Sequence, residues 1–240
     1  SFSAVLERLA QHHSYLENMA GRLSHELRTP IAVVRSSLEN LKLAPGAAGR
    51  EASTYIERAE DGLQRLNRIL GRMTEASRLE ASLRTAERER YDLAPVVRGC
   101  VEGYRVAYPK AGFALALPER RMEVEGSPDL AAQLLDKLVE NAVDFSPAGE
   151  PVRVALEEAG GEALLTVRNR GPALPEAMRG RLFDSMISVR EAHATTTTPH
   201  LGIGLYVARL IAEFHGGSIA ATDLPEGGVE VGVRLPLAWK

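Results

Sequence analysis

Near the start of the chain, Ser24-His25-Glu26-Leu27-Arg28-Thr29-Pro30 places an imidazole, a carboxylate and a hydroxyl within two turns of a helix. An imidazole is a usable nucleophile near neutral pH when a neighbour holds one ring nitrogen as N–H and leaves the other bare. Glu26 is the adjacent carboxylate, and Thr29 follows one turn after His25 with a hydroxyl able to orient a water. At about 100° per residue, Leu23 and Leu27 fall roughly 40° apart on one stripe, while His25 points about 200° away from Leu23. The spacing predicts a ring turned to solvent, which is either one more polar residue on a wet face or, with Glu26 beside it, a nucleophile. Pro30 then removes a backbone donor and bends the helix just beyond it.

The elements that must carry this ring follow from periodicity. Apolar residues recur from Phe2 through Leu23, Leu27, Ile31, Val34 and Leu38 to Leu41, with His12 filling one gap. The early steps of three and four residues make a coiled-coil seam, and the successive fours from Met19 to Ile31 make a stutter that relaxes it. Residues 1–43 are expected as one helix, residues 44–49 as a turn, and a second seam from Ile56 to Met73 as the return helix. Two helices with a single apolar stripe each close no core alone, so a dimeric four-helix bundle is the economical solution. The polar stretch Glu80 to Arg90 reads as a linker. Beyond it, Leu93 to Val106 reads as a helix, Ser127-Pro128 opens another reaching Phe145, a third spans Gly202 to His215, and alternating strands such as Val152–Leu156 and Val229–Leu235 complete an α/β sandwich.

The bulk numbers narrow the classes. With 240 residues and a net charge of −3, two ordinary domains fit and nucleic acid is not an expected partner. A single cysteine, Cys100, excludes an internal disulfide and reads as a small packing residue. No apolar run is long enough to span a membrane. The chain opens at Ser1 inside a heptad pattern, so it is expected to be a fragment whose helix continues upstream. Gly202 and Gly204 at a helix start let backbone N–H groups approach phosphate oxygens, although a tight turn needs the same glycines.

At each of its seven positions, Ser24 to Pro30 resembles the H-box of sensor histidine kinases. Three later elements fall in the order of the GHKL (Bergerat-type) ATPase domain that follows that box. Leu138-Val139-Glu140-Asn141-Ala142 with Phe145-Ser146-Pro147 resembles the N-box, which implies Asn141 as a magnesium ligand through its amide oxygen. The family pattern has a second Asn where this chain has Lys137, and a basic residue where it has Asp144. Two readings stand. Either Lys137 reaches the phosphates while Asp144 joins the metal shell or pairs with Lys137, or both are surface substitutions.

Val167 to Pro175 sits where the family has its D-x-G-x-G-I-P adenine box, keeping Gly171 but carrying Asn169 for Asp and Ala173 for the second Gly. An amide oxygen accepts from the adenine amino group without the charge, which weakens recognition by about 1 kcal/mol. Gly202, Gly204 and Leu205 resemble the G2 box, with His200 in place of its first glycine, and Phe183 lies in an F-box-like segment. Arg190, in the polar stretch between them, either closes over phosphates or is a solvated loop arginine.

The resemblance implies a dimerisation and histidine phosphotransfer hairpin at 1–85 and a catalytic ATP-binding domain at 91–240. The implied activity is the catalytic core of a two-component kinase. Mg-ATP phosphorylates His25 with Glu26 as general base, and the group passes to an aspartate of a response-regulator receiver domain. Thr29 would serve regulator dephosphorylation. A homodimer is implied, lying in the cytoplasm below a parent attached to the bacterial inner membrane. The alternative is a pseudokinase, a dimeric regulator-binding scaffold marked by the departures at 137, 144, 169, 173 and 200.

Overall fold

The helical periodicity at the start of the chain is realised as α1 (27–43) and α2 (Arg50–Leu83). The computed structural model describes residues 27–43, 50–83, 85–174, 176, 182–183 and 203–238. These divide into one unit up to Glu75 and a second from Ala76. The expected helix N-terminal to Leu27 and the turn at 44–49 lie outside the described residues.

In the hairpin unit the apolar seam of the sequence divides in two. On α1, Pro30 and Ser37 are buried and Val34 and Leu41 half-buried, a ridge with steps of four, three and four. It packs on α2 at Gly62, where an added Cβ would lie 2.6 Å from Val34 Cγ2 and 3.2 Å from the Pro30 carbonyl oxygen. Ala59 and Ile69 on α2 are buried as well. A second stripe stays outward: Ile31, Leu38, Ile56, Leu63 and Leu70 are each between 47% and 52% exposed. Its spacing is seven residues on both helices. The expectation of one stripe per helix is thus corrected to two, since a helix with 3.6 residues per turn can serve a partner on each side.

The linker is shorter than the sequence indicates. Helix α2 runs on to Leu83 because Leu79 is buried and anchors its last turns. The Ser82 hydroxyl donates to the Leu79 carbonyl at 3.0 Å, and the Thr85 N–H to that of Ser82 at 3.1 Å. Four residues later the charged run Glu89–Asp92 forms β1, a strand with no apolar alternation to announce it.

The second unit continues with α3 (Leu93–Ala107), β2 (Phe113–Ala116), β3 (Glu123–Gly126), α4 (Pro128–Phe145), β4 (Val152–Ala159), β5 (Glu162–Asn169), α5 (Ile203–Phe214), β6 (Ser218–Asp223) and β7 (Val229–Pro236). The main sheet has the order β2-β4-β5-β7-β6, with β2 parallel to β4 and the other pairs antiparallel. β1 and β3 form a separate antiparallel pair. Strand alternation decides which face is covered. Val152, Val154 and Leu156 on β4 and Val231, Val233 and Leu235 on β7 are buried, while Arg153 and Glu157 are exposed. Helices α3, α4 and α5 supply the other layer, so the expected α/β sandwich forms.

The starts of α3 and α4 are built from the residues that cap them. Asp92 Oδ1 accepts from the N–H groups of Ala94 (3.2 Å) and Met122 (3.0 Å), and Ser127 Oγ accepts from Leu130 at 3.4 Å with Pro128 behind it. Cys100 is a free, partly exposed thiol whose pKa burial pushes up, which keeps it protonated and unreactive. Among the described residues no helix is long and apolar enough to cross a membrane.

The α1–α2 contact leaves no room for a β-branched side chain at Gly62. Gly62→Val is expected to destabilise the chain by about 1–3 kcal/mol in urea denaturation, and adding Val34→Ala to recover part of that loss.

Candidate functional site

The sequence places its candidate ligands on α4, at the end of β5 and at the start of α5. Five apolar positions of α4, Leu134, Leu135, Leu138, Val139 and Ala142, are buried, and this leaves Lys137, Asn141 and Asp144 on another side of the helix. Lys137 lies alongside α5: a Cβ added at Gly204 would come 4.0 Å from Lys137 Cδ. The N–H groups of the first turn of α5 have no intrahelical acceptor and carry the positive end of the helix dipole. The lysine stem is therefore laid against a glycine-led helix start suited to phosphate oxygens. Its Nζ sits 3.6 Å from Glu140 Oε2 at the next turn. That pair is half in water on the Glu140 side and contributes less than about 1 kcal/mol.

Asn141 is half-buried and Asp144 exposed. Asp144 extends a row with Asp136 and Glu140, spaced by four residues along α4, that faces α3. Tyr104 donates its hydroxyl to Asp136 Oδ1. Tyr108 senses the whole row: its hydroxyl pKa is raised first by burial, then by Glu140, Asp144 and Asp136, with Lys137 opposing them. Among the described residues no three His, Cys, Asp or Glu side chains gather to hold a metal by themselves. One amide oxygen on an open helix face instead fits a hard cation that keeps waters and takes its remaining oxygens from phosphates, the habit of magnesium.

At the end of β5, Asn169 is only 6% exposed. Its Nδ2 donates to the Arg170 carbonyl at 3.1 Å, which makes Oδ1 the end of the amide that can accept. Gly171 is required by close approach, because a Cβ there would lie 2.5 Å from the Phe145 carbonyl oxygen at the end of α4. Gly228, in the β6–β7 turn at φ +101, leaves space for the backbone of Asn169 and Arg170. Beyond it the Leu174 N–H donates to Asp223 Oδ1 at 2.7 Å. The segment after Asn169 is thus held between the C-terminus of α4 and the β6–β7 hairpin.

Of the remaining candidates, Leu205 is buried in the first turn of α5, and Phe183 is half-buried beside buried Leu182. Thr29 is exposed on α1. His25, Glu26, Arg190 and Gly202 lie outside the described residues. Sequence reasoning missed Glu140 and Tyr108. The spacing of three between Lys137 and Glu140 signals the first, whereas nothing local signals the second. His215, which the sequence marks only as the end of a helix, is buried and bonded on both ring nitrogens.

Residues 126–238 match the family model of histidine kinase-, DNA gyrase B- and HSP90-like ATPases, and residues 15–82 match that of the His kinase A (phospho-acceptor) domain. Sensor protein CutS of Streptomyces coelicolor is 31% identical over 99% of this chain and 56% of its own length. Sensor histidine kinase WalK of Bacillus subtilis is 27% identical over 89% of this chain and 35% of its own. The chain therefore spans little more than half of one relative and about a third of the other. Full-length ShkA in complex with AMPPNP shares the fold with a TM-score of 0.60 at 20% identity, over 93% of this chain and 46% of that one. The mycobacterial sensor histidine kinase MprB does so with a TM-score of 0.54 at 22% identity, over 63% and 99%.

Gly171→Ala is expected to cost about 1–3 kcal/mol in urea denaturation, because backbone at Phe145 must move. Gly71→Ala, on α2 with nothing within 4 Å of the added carbon, is expected to leave stability unchanged or raise it by up to about 1 kcal/mol.

Proposed function

The chain belongs to the sensor histidine kinases of two-component systems, and from that membership we propose that it binds Mg-ATP in residues 91–240 and phosphorylates His25 on the hairpin of residues 1–85. The observation that carries the reading is the placement of Lys137 along the glycine-led start of α5, a fixed cation beside helix N–H groups. Full-length ShkA, of like fold, is in complex with AMPPNP, which supports a nucleoside triphosphate as occupant.

In this reading the bare ring nitrogen of His25 attacks the γ-phosphorus. A nitrogen–phosphorus bond forms as the bond from phosphorus to the β–γ bridging oxygen breaks, and ADP departs with that electron pair. Glu26 holds the other ring nitrogen as N–H and takes up the proton as the ring acquires charge. Lys137 meets the phosphate oxygens, the cation that the family pattern carries at the position of Asp144. Asn169 accepts from the adenine amino group as a neutral amide, and Phe183, Gly202, Leu205 and Arg190 line or close the nucleotide site. Magnesium bound through Asn141 would offset charge on the phosphates.

The phosphoryl group then moves to an aspartate of a response-regulator receiver domain, where an oxygen–phosphorus bond replaces the nitrogen–phosphorus one. Thr29, exposed on α1, is suited to orient water for the reverse, hydrolytic step. A second copy covers the outward stripe of Ile31, Leu38, Ile56, Leu63 and Leu70, whose heptad spacing and half exposure suit a four-helix bundle. The parent protein is membrane-attached with this core on the cytoplasmic side. The scaffold reading is less supported, since the change at Lys137 supplies a charge useful to ATP binding rather than removing one.

Incubation with γ-labelled ATP and magnesium is expected to label the wild type and not His25→Ala; an unlabelled wild type overturns the kinase. Lys137→Ala is expected to weaken ATP binding about tenfold or more, the worth of a hydrogen bond to a charged group. Equal affinities by calorimetric titration would remove Lys137 from the site.

A further inference from the structure

We propose that His215 is a positioning residue for the nucleotide site, pinning α4 against α5 and so setting Lys137 and Asn141 relative to Gly204. The inference rests on the function proposed above.

His215 follows the last residue of α5 and is 4% exposed. Its Nδ1 lies 2.8 Å from the Ile211 carbonyl, which only accepts, so the ring proton sits on Nδ1. Nε2 is then the acceptor. It receives the Ser127 N–H, the cap of α4, at 3.2 Å, and the Tyr91 hydroxyl of β1 at 3.1 Å. The ring occupies the space a Cβ on Gly126 would need, so only glycine at that position admits it. One imidazole thus ties together β1, the N-terminus of α4 and the C-terminus of α5.

From that point the two helices run antiparallel to a second contact. Lys137 is ten residues along α4 and Gly204 eleven residues back along α5. At 1.5 Å per residue these distances are about 15 Å and about 16–17 Å, and at that depth Lys137 Cδ lies opposite Gly204. Between the pin and the site there are α-helices on both sides, which are stiff along their axes. A slip of one residue at His215 would shift the candidate phosphate ligands by about 1.5 Å, beyond the roughly 0.5 Å to which functional constellations are held.

The pin is also protonation-sensitive. Burial, followed by the nearby Arg88 charge, lowers the ring pKa below its ordinary 6.5, against the opposing pull of the Ile211 and Ser127 carbonyls. The groups facing the ring are Tyr91 from β1, Ser127 from α4 and Ile211 from α5. Arg88 stands over Phe214 with its guanidinium carbon 4.9 Å from the ring centroid. A proton on Nε2 would turn it from acceptor to donor toward the Ser127 carbonyl, 3.3 Å away, and would leave the Ser127 N–H without its acceptor. Because the folded pKa is depressed, the unfolded chain binds more protons below 6.5. The stabilisation is therefore full above that pH and is lost as pH falls beneath it.

The test uses the whole chain and ATP with magnesium, at a temperature where circular dichroism shows each variant folded. His215→Ala is expected to raise the Kd for ATP by between about tenfold and a hundredfold, the scale of a ~1 Å misplacement. His215→Gln, whose amide can still accept from Ser127 and cannot be protonated, is expected to recover most of the affinity. It should also lack the additional loss of ATP affinity that the wild type shows below pH 6.5. A lowered melting temperature with unchanged ATP affinity in His215→Ala overturns the inference and leaves the kinase reading standing. If His215→Ala does not fold, parallel pH profiles for wild type and His215→Gln overturn it. A wild type that binds no ATP overturns both.

Discussion

Burial of one side of α4 against the sheet constrains everything else that the second unit can do. Leu134, Leu135, Leu138 and Val139 are each worth up to about 1.5–3 kcal/mol when fully covered, and with Ala142 beside them they leave the helix one rotational setting. In that setting Lys137 is laid against α5, the acidic row of Asp136, Glu140 and Asp144 faces Tyr108, and the C-terminal carbonyl of Phe145 meets Gly171. Rotating α4 to improve any one of these would expose leucine. The site is thus a consequence of the core, and its precision is the precision of packing.

That constraint gives the departures in the N-box a coherent physical reading. Exchanging an amide for a lysine at position 137 and placing an aspartate at 144 moves positive charge about two turns along the same helix. The lysine stem crosses toward Gly204, while Asp144 falls in with two other acids whose field raises the Tyr108 pKa. The charge is redistributed within the site region instead of being abolished. Asn169 follows the same logic on a smaller scale. Its amide keeps an acceptor in a nearly closed position, held in orientation by the Arg170 carbonyl, where the family pattern has a charged one.

The hairpin obeys a different rule. It has no sheet to lean on, so its helices divide their apolar residues between two neighbours. Pro30 and Val34 meet α2 at the close approach of Gly62, on a ridge that continues through buried Ser37 and half-buried Leu41, and the heptad stripe through Ile31, Leu38, Ile56, Leu63 and Leu70 is left outward. A stripe of that length and spacing, half in water, is what a second copy would cover.

Local residue order by itself determined the seven-residue motif around His25, the helical hairpin, the Ser127-Pro128 helix start and the alternation of the sheet. Each of these depends on neighbours within one or two turns, where periodicity and capping chemistry act. The strand β1 was illegible because Glu89–Asp92 is held by pairing with β3 and not by its own propensity. The division of the seam was illegible because periodicity reports that a residue is covered, not by which neighbour. The contact of Lys137 with Gly204, the acidic row on Tyr108 and the closure around His215 were decided only in the tertiary structure. Each joins residues from separate elements, some nearly 90 positions apart in the case of Ser127 and His215, and no local rule spans that distance.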